Sequence, residues 1–223
     1  MTYEGLRLKV LKLKRKSLAK YNRKFINNSK FTIISNNCWG GMVYESYGLE
    51  KQSPTVGLFF AASDYLKFIS NLKKYLNAPL NFINPKESRW ISLEQVSSDE
   101  RFGSYPVGVL DIGNESVELF FLHYKSEQNA KEKWERRVKR INWNCMLMKF
   151  NDQNGCSQKD VKKFLNLPYQ NKVFFTCKKW DDIGNSDSVI TIKQFPKSDS
   201  IRASFEPFGK IKEFDLNRLI NNL

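Results

Sequence analysis

Phe31-Thr-Ile-Ile-Ser-Asn-Asn-Cys-Trp-Gly-Gly41 joins a β-branched run to a polar turn and two glycines, and residues 42–49 continue with helical spacing. β-branched side chains suit a pleated strand, while Asn-Asn ends the run, so the stretch reads as strand, tight turn and helix. Free backbone N–H groups at the start of a helix favour negative charge. Asn36, Asn37, Gly40 and Gly41 are therefore candidates for holding an anionic substrate, and Cys38 is a candidate nucleophile whose thiol pKa such a turn would lower. A small buried cysteine under a tight turn is the alternative.

Working outward, short apolar runs at 31–35, 55–60, 80–83, 107–111, 117–124, 145–150, 172–177 and 189–195 read as strands. Helical spacing covers 42–49, 63–76, 126–141, 157–167 and 215–223, with Ser63 and Ser126 as N-caps and Ser157 with Asp160 as an approximate capping box. Gly113-Asn114 marks a hairpin turn. The order predicts a three-layer α/β domain over 31–223, with a largely parallel (mixed) sheet, helices on both faces and a ligand site at the carboxyl ends of the strands. Residues 84–103 form a long irregular stretch that reads as a lid over that site.

The formal net charge is +14, and residues 1–30 hold ten Lys or Arg against Glu4 alone. In this arm Leu6, Val10, Leu13, Tyr21 and Phe25 recur at helical spacing with basic residues around them. A basic amphipathic helix over residues 6–25 fits an anionic membrane surface, with nucleic acid as the competing polyanion and docking on its own domain as the ordinary alternative. Basic residues interleave with Leu and do not precede an apolar stretch, so no leader or membrane span is expected. The expected location is the cytoplasm, peripheral on the inner face of the plasma membrane. Cys38, Cys145, Cys156 and Cys177 are widely spaced, which argues against disulfides and a structural zinc site.

His123 is the only histidine, so any mechanism that needs imidazole must use it, and it lies at the end of the apolar run Leu119-Phe-Phe-Leu122. Asp152 and Asp111 follow strands and are candidates for the same rim, which makes Cys38, His123 and Asp152 a possible catalytic set. On the 126–141 helix, Arg137 and Arg140 belong to a basic face suited to a phosphate or sugar carboxylate, or to plain solvation.

Ser35-Asn-Asn-Cys-Trp-Gly-Gly41, Ser53-Pro-Thr-Val-Gly-Leu-Phe-Phe60, Asp64-Tyr-Leu-Lys-Phe68, Tyr105-Pro-Val-Gly108, His123-Tyr-Lys-Ser126, Trp134-Glu-Arg-Arg137, Arg140-Ile-Asn142 and Asn171-Lys-Val-Phe-Phe-Thr176 occur in this order. Together they resemble a bacterial domain family of unknown function whose members are often labelled exopolysaccharide biosynthesis proteins. The resemblance spans residues 28–180. It implies an α/β fold and an association with capsule or exopolysaccharide assembly, but assigns no role to Cys38 or His123.

No dinucleotide or nucleoside-triphosphate glycine motif and no G-x-S-x-G elbow occurs. Asp181 and Asp182 are adjacent, so they diverge on a strand and do not form an Asp-x-Asp metal pair. No metal or dinucleotide cofactor is expected. Three functions remain: a transferase or modifying enzyme acting on an activated or lipid-linked glycan precursor, such as an anionic sugar donor; a non-catalytic membrane-surface accessory of polysaccharide assembly; and a nucleic-acid-binding protein, which the confinement of charge to one arm disfavours.

Overall fold

A computed structural model describes residues 3–181, 183, 186–195 and 198–223, with side chains from residue 5 onward. Met1, Thr2 and Asp182 lie outside the described residues. In chain order the elements are α1 (Tyr3–Asn22), β1 (Thr32–Ser35), α2 (Trp39–Ser46), α3 (Ala62–Ser70), α4 (Leu72–Asn77), β2 (Leu80–Ile83) and α5 (Glu94–Ser97). There follow β3 (Val107–Ile112), β4 (Glu115–Phe120), α6 (Glu127–Val138), β5 (Met146–Asn151), α7 (Gln158–Asn166), β6 (Lys172–Thr176), β7 (Val189–Thr191) and α8 (Leu216–Asn221).

The α/β fold divides its strands between two sheets. β1, β5, β6 and β7 pair in that order, all parallel, whereas β2, β3 and β4 form a separate antiparallel sheet. α3 lies between the two. Tyr65 stacks on Phe150 of β5 at 5.5 Å, and Phe68 sits 6.2 Å from Trp134 of α6. Ile34, Met148, Phe150 and Phe174 face this helical layer, while Ile33, Leu147, Val173 and Phe175 face α2 and α8. Helices therefore cover both faces of the parallel sheet, as alternating buried strand residues require.

Residues 55–60 do not make the expected strand. Pro54 lacks an N–H, Gly57 adopts φ +81°, and Phe59 makes an isolated bridge to Phe120. This segment instead seals the free edge of β1. Ser35 N donates to Thr55 Oγ1 at 3.1 Å, and Ile33 N donates to the Tyr44 hydroxyl at 3.0 Å, so the edge offers a second chain little to pair with.

Helix boundaries follow local chemistry. Ser126 and Ser157 cap α6 and α7, the latter with the full Asp160 capping box. Ser63 is not a cap: α3 begins after Ala61, and Ala62 N donates to Asn154 O at 2.9 Å. The expected 63–76 helix breaks at Asn71, which separates α3 from α4. Gly40 and Gly41 lie inside α2, where a Cβ would come within 3.1 Å of Ile33 and 2.9 Å of Val56. They permit close helix packing, and neither is placed as a ligand contact.

α1 docks along α2. Ala19 and Ile26 are buried and Leu11, Arg15 and Asn22 partly so, with Asn22 Nδ2 donating to Ser46 O at 2.9 Å. Arg7 lies over Phe205 at 4.6 Å and Arg15 over Phe208 at 5.5 Å. The other face is open: Leu6, Val10, Leu13 and Tyr21 are 49, 55, 67 and 58% exposed. Among the described residues, no helix is long and apolar enough to cross a membrane.

Candidate functional site

The parallel strands end at Ser35, Asn151 and Thr176, and the residues at or just past these ends are polar. Asn36 Nδ2 donates to Asn151 Oδ1 at 2.8 Å, tying β1 to β5 below the rim. Beside them opens a cavity of about 640 Å³, lined by Asn37, Cys38, His123, Arg101 and Arg202 among others, with Leu8 of α1 at its edge.

Of the residues singled out in the sequence, Asn37, Cys38 and His123 share this wall. The His123 ring is open to it, and its backbone N–H is fixed to Gly57 O at 3.1 Å. Loss of solvent against the cavity wall, together with the charges of Arg101, Lys12 and Lys51, holds its pKa below the ordinary histidine value. These influences favour the neutral imidazole, the form able to accept a proton.

Cys38 behaves differently from the expectation for a helix start. Burial pushes its thiol up to about 12, despite the opposing charges of Lys149 and Arg101, and the sulfur lies 4.0 Å from Leu58 O. Desolvation outweighs those charges, and Cys38 is a protonated thiol at neutral pH.

Asp152 does not line the cavity. Its Oδ2 accepts from Thr176 Oγ1 at 2.7 Å and Cys177 N at 3.0 Å, and its Oδ1 accepts from Ile201 N at 2.7 Å. It clamps the strand ends to the 198–208 strap and is not placed to orient His123. Arg137 is buried on α6 and donates to Val56 O at 3.2 Å and to the Tyr124 hydroxyl, while Arg140 pairs with Glu50 at 2.7 Å. These arginines hold the 50–57 loop in place. Asp111, exposed on β3 in the antiparallel sheet, is not at the rim of the parallel one. Among the described residues, no group of three His, Cys, Asp or Glu is placed to hold a metal ion.

The residue that sequence reading passed over is Lys149. It lies in β5 with no exposed side-chain surface, between the rings of Trp39 and Phe175. Its Nζ reaches Glu206 Oε1 at 2.6 Å and Asn37 Oδ1 at 2.9 Å. Burial lowers its pKa to about 8 against the opposing pull of Glu206, and burial likewise raises Glu206. A lysine inside the apolar run 145–150 was the available signal, because an unpaired cation is seldom buried.

The 84–103 segment overhangs the cavity, with Gln95, Ser98, Asp99, Glu100 and Arg101 on its wall. Its base is fixed by Asp64, whose Oδ2 accepts from Arg89 Nη2 at 2.5 Å, Trp90 Nε1 at 2.8 Å and Glu118 N at 2.9 Å. Asp64→Asn is expected to lower stability by about 2 kcal/mol, since buried donors lose a charged acceptor. The checking measurement is tryptic cleavage at Arg101, which should accelerate before global unfolding. Cleavage unchanged from the parent would show that Asp64 does not anchor the segment.

Together these features define an α/β protein with an open polar cavity at the carboxyl rim of a parallel sheet. The chain belongs to a family described as a domain of unknown function, DUF1919, whose model matches residues 9–221. The family match thus extends on both sides of residues 28–180. An uncharacterized protein of Haemophilus influenzae is 32% identical over 184 residues, covering 82% of this chain and 78% of that relative.

Proposed function

We propose that this chain is a transferase or other modifying enzyme working at the cytoplasmic membrane surface on an anionic, activated or lipid-linked glycan precursor in exopolysaccharide or capsule biosynthesis. The observation that carries the reading is the cavity itself: a neutral imidazole, two arginines and Leu8 of the basic helix meet at one opening. In such a transfer Arg202 attracts the phosphate or carboxylate of the donor, joined by Arg101, whose guanidinium is held at the opening by Asp99 at 2.9 Å. The acceptor oxygen bonds to the electrophilic atom as the donor's leaving group departs with its electron pair, and His123 takes the acceptor proton. Cys38, as a thiol, shapes the wall. The motif resemblance supports the glycan assignment.

The exposed face of α1 supports a second reading, a non-catalytic membrane-surface accessory of the same assembly machinery. The two separate in cells carrying His123→Asn. The enzyme reading expects surface glycan to fall on the order of a hundredfold or more, with protein level and melting temperature nearly unchanged. In an assay of the purified protein, the acid limb of the rate profile should lie below pH 6.5, the side to which His123 is shifted. Normal glycan in this variant would sink the enzyme reading and leave the accessory.

A further inference from the structure

Beneath the 198–208 strap, polar groups of β5 and of the turn after β1 converge on one atom. Glu206 Oε1 accepts from Lys149 Nζ at 2.6 Å, Asn151 Nδ2 at 2.7 Å and Asn37 Nδ2 at 3.2 Å. The other carboxylate oxygen, Oε2, is buried with no hydrogen-bond partner among the described residues. A carboxylate placed for stability divides its donors between its two oxygens, because a buried unpaired oxygen forfeits a charge-assisted bond. Here three nitrogens surround one oxygen position and leave the other empty-handed. A pair this deep also does little for stability that apolar residues of the same volume would not do.

The location carries the argument further. The carboxyl ends of parallel strands are where open α/β sheets take ligands, and in this chain that place is filled from within. The occupant arrives on a strap that belongs to neither sheet, held by Trp39 Nε1 donating to Pro207 O at 3.1 Å and Asn151 Nδ2 donating to Ile201 O at 2.7 Å. Arg202, Ala203 and Ser204 of the same strap line the 640 Å³ cavity, and Asn37 belongs to both the cavity wall and the cradle. One layer of chain therefore separates the cradle from the open site.

We propose that Lys149, Asn37 and Asn151 form a binding site for the carboxylate or phosphate of an anionic ligand, that Glu206 is its resident occupant, and that a ligand entering from the cavity replaces Glu206 by lifting the strap. The site stands independently of proton transfer at His123. A failure here leaves the glycan result for His123→Asn untouched, and the reverse also holds.

The test uses full-length Glu206→Ala, with inorganic phosphate and acetate as separate probes. The melting temperature should rise saturably with at least one anion, by roughly 5 °C at a hundred times its dissociation constant. The probe that works identifies the ligand class. Affinity should fall at least tenfold in Glu206→Ala/Lys149→Met, and the parent should bind at least tenfold more weakly than Glu206→Ala, because its own carboxylate competes. If Glu206→Ala does not fold, Glu206→Ser, which also leaves the carboxylate position empty, supplies the same measurements. In the parent, saturating probe should speed tryptic cleavage at Arg202. Absence of saturable stabilisation in the folded variant, or equal stabilisation with Lys149 removed, would overturn the site. Unchanged cleavage of the parent at saturation would overturn displacement of the strap.

Discussion

Lys149→Met is expected to destabilise the protein by about 3–5 kcal/mol, because it leaves the Glu206 carboxylate buried without its cation. Lys149→Met/Glu206→Leu should recover most of that loss. The pKa directions support this asymmetry: burial pushes both groups toward their neutral forms, so desolvation exceeds what their attraction returns. For Lys149 alone, between a folded value of about 8 and the ordinary 10.5, the unfolded chain holds a proton that the folded chain lacks. Its contribution to stability therefore rises with pH across that window and is lost as pH falls through 8. The urea midpoints of the two variants decide the matter. A single variant within about 1 kcal/mol of the parent would mean that Glu206 leaves the interior when Lys149 is gone.

Neutralising Lys14, Lys16, Lys20 and Lys24 to glutamine should weaken binding to phosphatidylserine-containing vesicles by about a thousandfold, taking about 1 kcal/mol for each surface-proximal cation. These side chains are exposed, so the melting temperature should not move. Leu13→Asp should act in the same direction by removing an apolar contact from the outer stripe. Deleting residues 1–24 is a poorer experiment, because it also uncovers the face of α2 that buries Ala19. Vesicle binding that survives the four substitutions would defeat membrane attachment through α1. Loss of duplex DNA binding in the same variant, with vesicles unaffected, would move the assignment to nucleic acid.

The order of strand, turn and helix after Phe31 was legible because β-branched residues, an Asn-Asn stop and helical spacing agreed, whereas the helix was expected over 42–49 and starts at Trp39, with Gly40 and Gly41 inside it as packing residues. The segment 55–60 misled for a physical reason. Its β-branched and aromatic residues pack against β1 and Phe120 as a loop would, and Pro54 and Gly57 forbid a ladder. Periodicity also says which residues extend but not which strands pair, so the separation into two sheets was not readable. At the site, Cys38 and His123 were visible as residue types, whereas the effect of burial on the thiol was not. Arg137 looked available because a basic helix face gives no hint of the Val56 carbonyl it holds. The Lys149–Glu206 contact joins positions far apart in the chain, beyond any local pattern.

The order of strands in the parallel sheet bears on how the chain reaches this structure. β1 and β5 are hydrogen-bonded neighbours, yet the whole antiparallel sheet and the five helices α2 to α6 come between them in sequence. Their register can be set only after a very long loop has closed, and long closures slow a folding reaction more than they weaken its product. The β3–β4 hairpin joins near neighbours, and β2 adds to it across the 84–106 connection, so this sheet can form while β1 is still alone on one side of the gap. During synthesis β1 leaves the ribosome early: Tyr44 and Thr55, which cover its outer edge in the folded protein, come from the chain just behind it, whereas the other edge has no strand to pair with until residues 146–151 emerge.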